Sequence, residues 1–283
     1  MTTETPLWTP SAERIAALPL TAFRVEAERR AGREFASYGD LHTWSVAAPE
    51  AFWDLVWDFC GVVGDKGGTV LADGDRMPGA AFFPEARLNY AENLLGRAGK
   101  GEAIVFRGED KVERRLTWAE LEALVSRLQQ LFASLGVKAG DRVAAMMPNM
   151  AETVAAMLAT AALGAVWSSC SPDFGEQGVL DRFGQIEPAV FIVPDGYWYN
   201  GKAIEVGDKV AAVAAKLPTL KKVLVVDYLG TAQDVAAGIT GAEALEDAIR
   251  PFAVGKVRFE RLPFSHPLFI LFSSGTTGIP KCI

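Results

Sequence analysis

The sequence predicts an α/β fold, with a helical cap region over residues 1–88 followed by a parallel sheet flanked by helices over residues 89–283. Three observations carry this prediction. From about residue 102 onward, short apolar runs alternate with helix-period patterns, as in a sheet covered on both faces. The preceding region lacks that alternation and places aromatic residues at helical spacing. With 283 residues and 50% hydrophobic content, the chain can bury a substantial core as one large domain or two smaller ones.

In chain order, Ser11 caps a helix that breaks at Pro19 and continues toward Glu34. After Pro49, residues Phe52, Leu55, Val56 and Phe59 share a helical face that Trp53 and Trp57 widen, and this stripe reads as core packing. Asp54 and Asp58 lie one turn apart on the same helix and read as solvated carboxylates, not as an acid/base pair. Residues 61–84 dissolve into Gly, Asp and Pro, which marks loops.

Strand-like runs at 103–107 and 112–116 precede Thr117, which opens a capping box with Glu120. The helix that follows buries Trp118, Leu121, Val125, Leu128, Phe132 and Leu135, and Gly136 ends it. A strand at 142–147 leads into residues 153–170, which contain 18 residues without a charge. Length makes that run a candidate membrane span. Its Ala, Ser and Thr content, Gly164, and the flanking Glu152 and Asp173 favour a buried helix and then a buried strand near 165–168. A helix at 178–187 and an apolar run at 189–193 come next. A stripe of Val206, Val210, Val213 and Leu217 and a buried strand, KVLVV at 222–226, complete the alternation, without an internal repeat.

The formal charge of −7 is spread without a basic stripe, which argues against a nucleic-acid partner. Cys60, Cys170 and Cys282 lack CxxC spacing and fit a reducing, cytoplasmic setting. The first eleven residues contain neither a basic leader nor an apolar run, so no secretory or transit signal is read there.

The most informative segment is the last. An apolar run at 267–273 (PLFILFS) feeds directly into residues 274–281 (SGTTGIPK). Gly275 and Gly278 let the backbone turn its N–H groups inward as an anion nest. Ser273, Ser274, Thr276 and Thr277 add hydroxyls, and Lys281 adds positive charge. A Walker loop fails on spacing, because two residues separate the glycines and Pro280 precedes Lys281. An ordinary Ser/Gly/Thr turn is the competing reading.

The motif SSGTTGIPK at 273–281 resembles the signature phosphate loop of the adenylate-forming, or AMP-binding, enzymes. The resemblance implies that Ser273, Ser274, Gly275, Thr276, Thr277, Gly278 and Lys281 grip the ATP phosphates and the departing pyrophosphate. Residues 83–95 (FPEARLNYAENLL), 164–183 (GAVWSSCSPDFGEQGVLDRF) and 197–202 (YWYNGK) resemble the acetoacetyl-CoA synthetase branch of that family. Residues 7–59 resemble the extra N-terminal segment of the acetyl- and acetoacetyl-CoA synthetases. Trp167 with residues 168–175 favours the acetoacetyl branch, since the acetyl branch carries a glycine-containing FGG there.

By the same resemblance, Ser171, Pro172 and Asp173 fall near the CoA path and Lys202 takes one basic CoA contact. Tyr199 stands at the other basic position, a departure from the acetyl pattern, and a solvated surface lysine is the alternative for Lys202. His266, before Pro267, reads as a positional residue, and His42 has no metal-spaced partner.

The implied activity is ATP-dependent ligation of acetoacetate, or another short carboxylic acid, to CoA through an acyl-adenylate, with Mg2+ bridging the phosphates. Acetyl- or propionyl-CoA synthesis is an alternative. Counterparts of the family's adenine motif, ribose aspartate, hinge and C-terminal domain with the adenylation lysine are not found by residue 283. The adenylation domain is therefore expected to be incomplete, inactive as this piece, exposed at a sheet edge, and in need of a C-terminal polypeptide. A non-catalytic nucleotide- or CoA-binding module, and a structural half completed by a second polypeptide, are readings from other classes.

Overall fold

The computed structural model describes residues 7–96, 101–273 and 278–283, and the chain divides into two compact units, Met1–Ala86 and Arg87–Ile283. In the first unit, α1 (Ala12–Ala16) begins at Ser11, whose side chain accepts from Arg14 N, and α2 (Pro19–Ala31) begins on Pro19. A proline at the first helical position loses no intrahelical bond, so the break falls there. Helices α3 (Tyr38–Ala47) and α4 (Pro49–Phe59) follow, then the short strands β1 (Gly64–Asp65), β2 (Leu71–Ala72) and β3 (Ala81–Phe82). The stretch expected to be loops thus contains a two-residue antiparallel ladder, Leu71 opposite Phe82 and Ala72 opposite Ala81.

The aromatic stripe of α4 is only partly core. Leu55 and Trp57 are buried, with Leu55 in a cluster with Ala27, Phe35, Leu41 and Trp44, whereas Trp53 and Phe59 are exposed. Helices α2 and α3 cover one side of α4, while Trp57 and Trp53 meet Phe83 and Phe82 after the helix, and Trp53 and Phe59 stay partly at the surface. Asp54 and Asp58 are not merely solvated. Arg30 reaches both, at 2.5 and 2.6 Å, and Lys66 reaches both, at 2.6 and 2.7 Å. This four-membered network ties α2 to α4 and to the segment after it.

In the second unit, β4 (Arg87–Leu88) pairs antiparallel with β14 (Leu262–Pro263), and α5 (Tyr90–Leu95) starts at the buried Asn89. The Asn89 side-chain oxygen accepts from Ala91 N, while its amide donates to Ala161 O at 3.0 Å and Glu260 O at 2.9 Å. The antiparallel pair β5 (Glu102–Gly108) and β6 (Val112–Thr117) leads into α6 (Trp118–Ser134), and Thr117 and Glu120 form the predicted capping box. Gly136 follows at φ +71°, a left-handed conformation that suits a residue without Cβ.

The alternation then unfolds as β7 (Arg142–Met146), α7 (Ala151–Ala162), β8 (Val166–Cys170), α8 (Glu176–Ile186), β9 (Val190–Pro194), β10 (Gly196–Tyr199), β11 (Lys202–Glu205), α9 (Gly207–Ala214) and β12 (Lys222–Val226). Next come α10 (Ala232–Ala237), β13 (Ala242–Ala244) and α11 (Leu245–Ile249). The 153–170 run is therefore a helix and a strand, and among the described residues no helix is long and apolar enough to cross a membrane.

Five of these strands form one parallel sheet in the order β13-β12-β9-β7-β8. Successive side chains of a strand face opposite ways. Val143 and Ala145 accordingly pack with α6 and α7, while Ala144 and Met146 pack with α8 and α9. Burial on both faces explains the near-continuous apolar strands.

The apolar run before the glycine-rich motif is not a buried strand. Residues 268–270 line the outer edge of β8, where Trp167 N donates to Leu268 O at 3.0 Å and Ile270 N donates to Trp167 O at 2.9 Å. Phe269 and Leu271 are exposed, and the regular strand β15 comprises Phe272–Ser273. Burial alternates along the segment, with Leu268, Ile270 and Phe272 half-buried against the core and Phe269 and Leu271 exposed, so only one of its faces is covered.

Two measurements test these contacts. Thr117→Ala should cost about 1 kcal/mol by removing the helix cap, read as a lower midpoint of urea unfolding; an unchanged midpoint would make the cap redundant. Lys66 and Arg30 hold the Asp58 carboxyl below its ordinary value of 3.8, so the folded chain binds fewer protons than the unfolded one in that range. This contribution is present above the ordinary value and is lost as pH falls through the depressed one. Asp58→Asn should therefore flatten the fall in thermal midpoint below about pH 4, and an unaltered pH profile would contradict the coupling.

Candidate functional site

In an open parallel sheet, ligand groups gather beyond the carboxyl ends of the strands, at the point where strand order reverses. Here that point lies between β7 and β9, since β7 leads outward to β8 and the chain returns across β7 to β9. Three features occupy the carboxyl ends of β8, β9 and β12.

The first is the turn after β8. Lys209 of α9 extends its ammonium to Pro172 O at 2.5 Å and Phe174 O at 3.0 Å, and Phe174 N donates to Ser171 O. Burial lowers the Lys209 pKa, and Cys170 and Asp173 oppose the shift. Burial also pushes the Cys170 thiol up to about 12, so at neutral pH it is not a thiolate nucleophile.

The second is the hairpin of β10 and β11, which leaves β9 at once. Tyr199 pairs with Lys202 across the two-residue turn Asn200 and Gly201, at φ +49° and +74°. Both values belong to the turn type that Asn-Gly favours in hairpins. Across 91 positions of sequence, the Glu109 carboxylate accepts from Asn200 N at 2.5 Å, and from Gly201 N at 2.7 Å. Direct cross-strand partners and residues two apart share a face, so Tyr197, Tyr199 and Lys202 lie together. Burial raises the Tyr197 hydroxyl pKa, with Asp173 and then Tyr199 adding to it. The hairpin face and the turn after β8 are thus electrostatic neighbours.

The third feature locks β9 to the loop after β12. The buried Asp195 carboxylate accepts from Tyr228 N at 2.9 Å, from Leu229 N at 3.0 Å and from Thr231 N at 2.8 Å. A carboxylate with several backbone donors is well satisfied without water.

The glycine-rich motif is bracketed by β15 and β16 (Lys281–Cys282), an antiparallel pair in which Ser273 lies opposite Lys281. Bonds between Leu271 and Ile283 extend the ladder. Ser273 is half-buried, Lys281 is exposed, and Gly278 has φ +105°, which favours glycine. Ser274, Gly275, Thr276 and Thr277 lie outside the described residues. Helix α8 holds the returning arm, with Gln185 Nε2 donating to Pro280 O at 2.8 Å. Arg182, three residues earlier on α8, sits 4.5 Å from the Phe174 ring centroid and 5.9 Å from that of Phe272.

The structure therefore places Ser171, Pro172 and Asp173 in one turn, with Lys202 exposed on the neighbouring hairpin and Ser273 and Lys281 paired at the mouth of the motif. His266 Nε2 lies 2.7 Å from Gly164 O, a positional contact. Lys209, Glu109, Gln185 and Arg182 went unnoticed in the sequence. The Asn200–Gly201 pair carried the one available signal, that of a two-residue hairpin. Among the described residues, no group of three or more His, Cys, Asp or Glu could hold a metal ion.

Polar groups collected at the carboxyl ends of a parallel sheet, beside a glycine-containing hairpin, place the chain among the α/β proteins that handle nucleotides. Residues 95–283 match the family described as AMP-binding enzyme, and residues 38–94 match the acetyl-coenzyme A synthetase N-terminus. The chain belongs to the AMP-binding enzyme family. It is 59% identical to an acetoacetyl-coenzyme A synthetase of Rhizobium meliloti (strain 1021), over 100% of this chain and 43% of the relative. An acetoacetyl-CoA synthetase of Xenopus tropicalis is 39% identical over 98% of the chain and 42% of its own length. A malonamoyl-CoA synthetase of Penicillium aethiopicum is 36% identical over 98% and 40%. Among solved structures, acetoacetyl-CoA synthetase from Streptomyces lividans superposes with a TM-score of 0.91 at 42% identity, covering 99% of this chain and 43% of that one. The chain thus spans less than half the length of these relatives.

The partial burial of Cys170 predicts an order of thiol labelling. Cys60 and Cys282 are exposed and should react with a maleimide first, Cys170 last, read by mass spectrometry of peptides. Early labelling of Cys170 in folded protein would contradict its burial.

Proposed function

We propose that these residues form the phosphate-loop and CoA-facing portion of an acetoacetyl-CoA synthetase. The observation that carries this reading is the 59% identity to the Rhizobium meliloti acetoacetyl-coenzyme A synthetase across the whole chain. Acetoacetate attacks the α-phosphorus of ATP, pyrophosphate leaves, and the CoA sulfur then displaces AMP from the acyl-adenylate. Negative charge grows on the departing pyrophosphate in the first step. Donors fixed before the reaction stabilise such charge without reorganising during it.

The hairpin geometry suits this role. Ser273 and Lys281 stand opposite each other at the neck of the loop, so a hydroxyl and an ammonium border the same opening. Gly278 adopts a backbone conformation that side chains disfavour. In this reading Ser274, Gly275, Thr276 and Thr277 supply the remaining donors to the phosphates. Mg2+ enters as the phosphate-bound counter-ion of ATP. Lys202, beside Tyr199, contacts CoA, and the turn at Ser171, Pro172 and Asp173 borders the CoA path. The three free cysteines suit a cytoplasmic setting.

The 283 residues alone are expected to give no acetoacetyl-CoA, because the relatives are more than twice as long. The test joins them to the portion of the Rhizobium meliloti relative that they leave unmatched and follows AMP release with ATP and CoA. Acetoacetate should be preferred over acetate, propionate and malonamate. In that protein Lys281→Ala should lower kcat about 100-fold, the scale of a lost charge-stabilising donor, and leave the KM for CoA unchanged. Preference for another acid would overturn the substrate, and an unaltered kcat the role of Lys281.

A further inference from the structure

We propose that Lys209 is a positioning residue for the turn between β8 and α8, holding Pro172 and Phe174 so that the N–H groups of Asp173 and Gly175 face outward. The ligand half of this inference rests on the CoA path proposed above; the positioning half rests on the hydrogen bonds alone.

The argument starts from α9. Val206, Val210 and Val213 bury one stripe of this helix in the sheet, and Lys209 stands next to that stripe. Its flexible four-carbon stem lets the ammonium reach past the apolar contact. The ammonium meets Pro172 O at 2.5 Å and Phe174 O at 3.0 Å, two carbonyls of alternate residues drawn to a single point. A trans peptide is planar, and its C=O and N–H point in opposite directions. Drawing in the carbonyls of Pro172 and Phe174 therefore turns out the N–H groups of the residues that follow, Asp173 and Gly175.

Three observations fit that consequence. Asp173 and Gly175 are exposed while Pro172 is buried. Among the described residues, neither outward N–H meets a protein acceptor. A Cβ placed on Gly175 would meet nothing within 4 Å, so the space before this backbone is open. Asp173 also adds to the burial-raised pKa of Tyr197, so its charge acts on the face that carries Tyr197, Tyr199 and Lys202. One half-buried ammonium thus determines which way two peptide groups of the turn point. Without it, the carbonyls lose a charged donor and the turn can rotate its peptide planes.

A purely structural lysine would stabilise the connection between β8 and α8 and nothing more, and the test separates the two. Lys209→Met keeps the stem and removes the donors, and Lys209→Arg restores a cation. In the joined protein described above, CoA and ATP binding are measured by calorimetry, and the amide resonances of Asp173 and Gly175 by NMR. Lys209→Met should weaken CoA binding about tenfold, the scale of a lost charged hydrogen bond, and leave ATP binding within about twofold. The two amide resonances should shift, and Lys209→Arg should recover most of both effects.

Unchanged CoA binding in folded Lys209→Met, or equal loss of CoA and ATP binding, overturns the proposal. If Lys209→Met does not fold, Lys209→Gln takes its place. If the unsubstituted joined protein binds no CoA, the CoA path itself is overturned. The resonances then decide the positioning role, and unmoved Asp173 and Gly175 signals end it.

Discussion

Burial of the central strands on both faces is the constraint on which the second unit depends. Val143 and Ala145 look one way and Ala144 and Met146 the other, so β7 requires helices on both sides of the sheet. Each pair of parallel strands needs a crossing connection, and the crossing helices supply the two covers. Once β7 leads to β8 and the chain returns to β9 on the other side, the carboxyl ends of β7 and β9 flank a reversal. Every candidate group beside that reversal owes its place to this path.

At those ends, polar side chains orient backbone segments. Lys209 gathers the carbonyls of Pro172 and Phe174, Glu109 receives the N–H groups of Asn200 and Gly201, and Asp195 receives three N–H groups of the loop after β12. Gln185 does the same for Pro280 beside the glycine-rich motif. A buried or half-buried charge is tolerated when several hydrogen bonds satisfy it. Each such group then fixes peptide orientation more tightly than apolar packing would, and packing alone has no direction.

Much of the fold was legible from periodicity. The capping box at Thr117, the stop at Gly136, the strands at β7, β9 and β12 and the split of residues 153–170 all follow from local rules. The misreadings share one cause, which is that burial depends on neighbours. Trp53 and Phe59 are apolar yet exposed because Phe82 and Phe23 cover only part of each ring, and Asp54 and Asp58 are paired because Arg30 and Lys66 arrive from elsewhere in the chain. The run before the glycine-rich motif looked like a core strand, but it lies on the sheet edge, where one face is open.

The amino-acid sequence by itself determined the alternation of β7, α7, β8, α8, β9, α9 and β12, the glycine-rich motif at residues 273–281 and the family to which the chain belongs. These are properties of neighbouring residues, which period, caps and spacing express directly. Tertiary structure alone decided that Lys209 serves the turn after β8, that Glu109 serves a hairpin 91 residues away, and that Ser273 faces Lys281. The reason is geometric: a hydrogen bond is set by distance and direction in space, and only the folded backbone brings distant donors and acceptors within that reach.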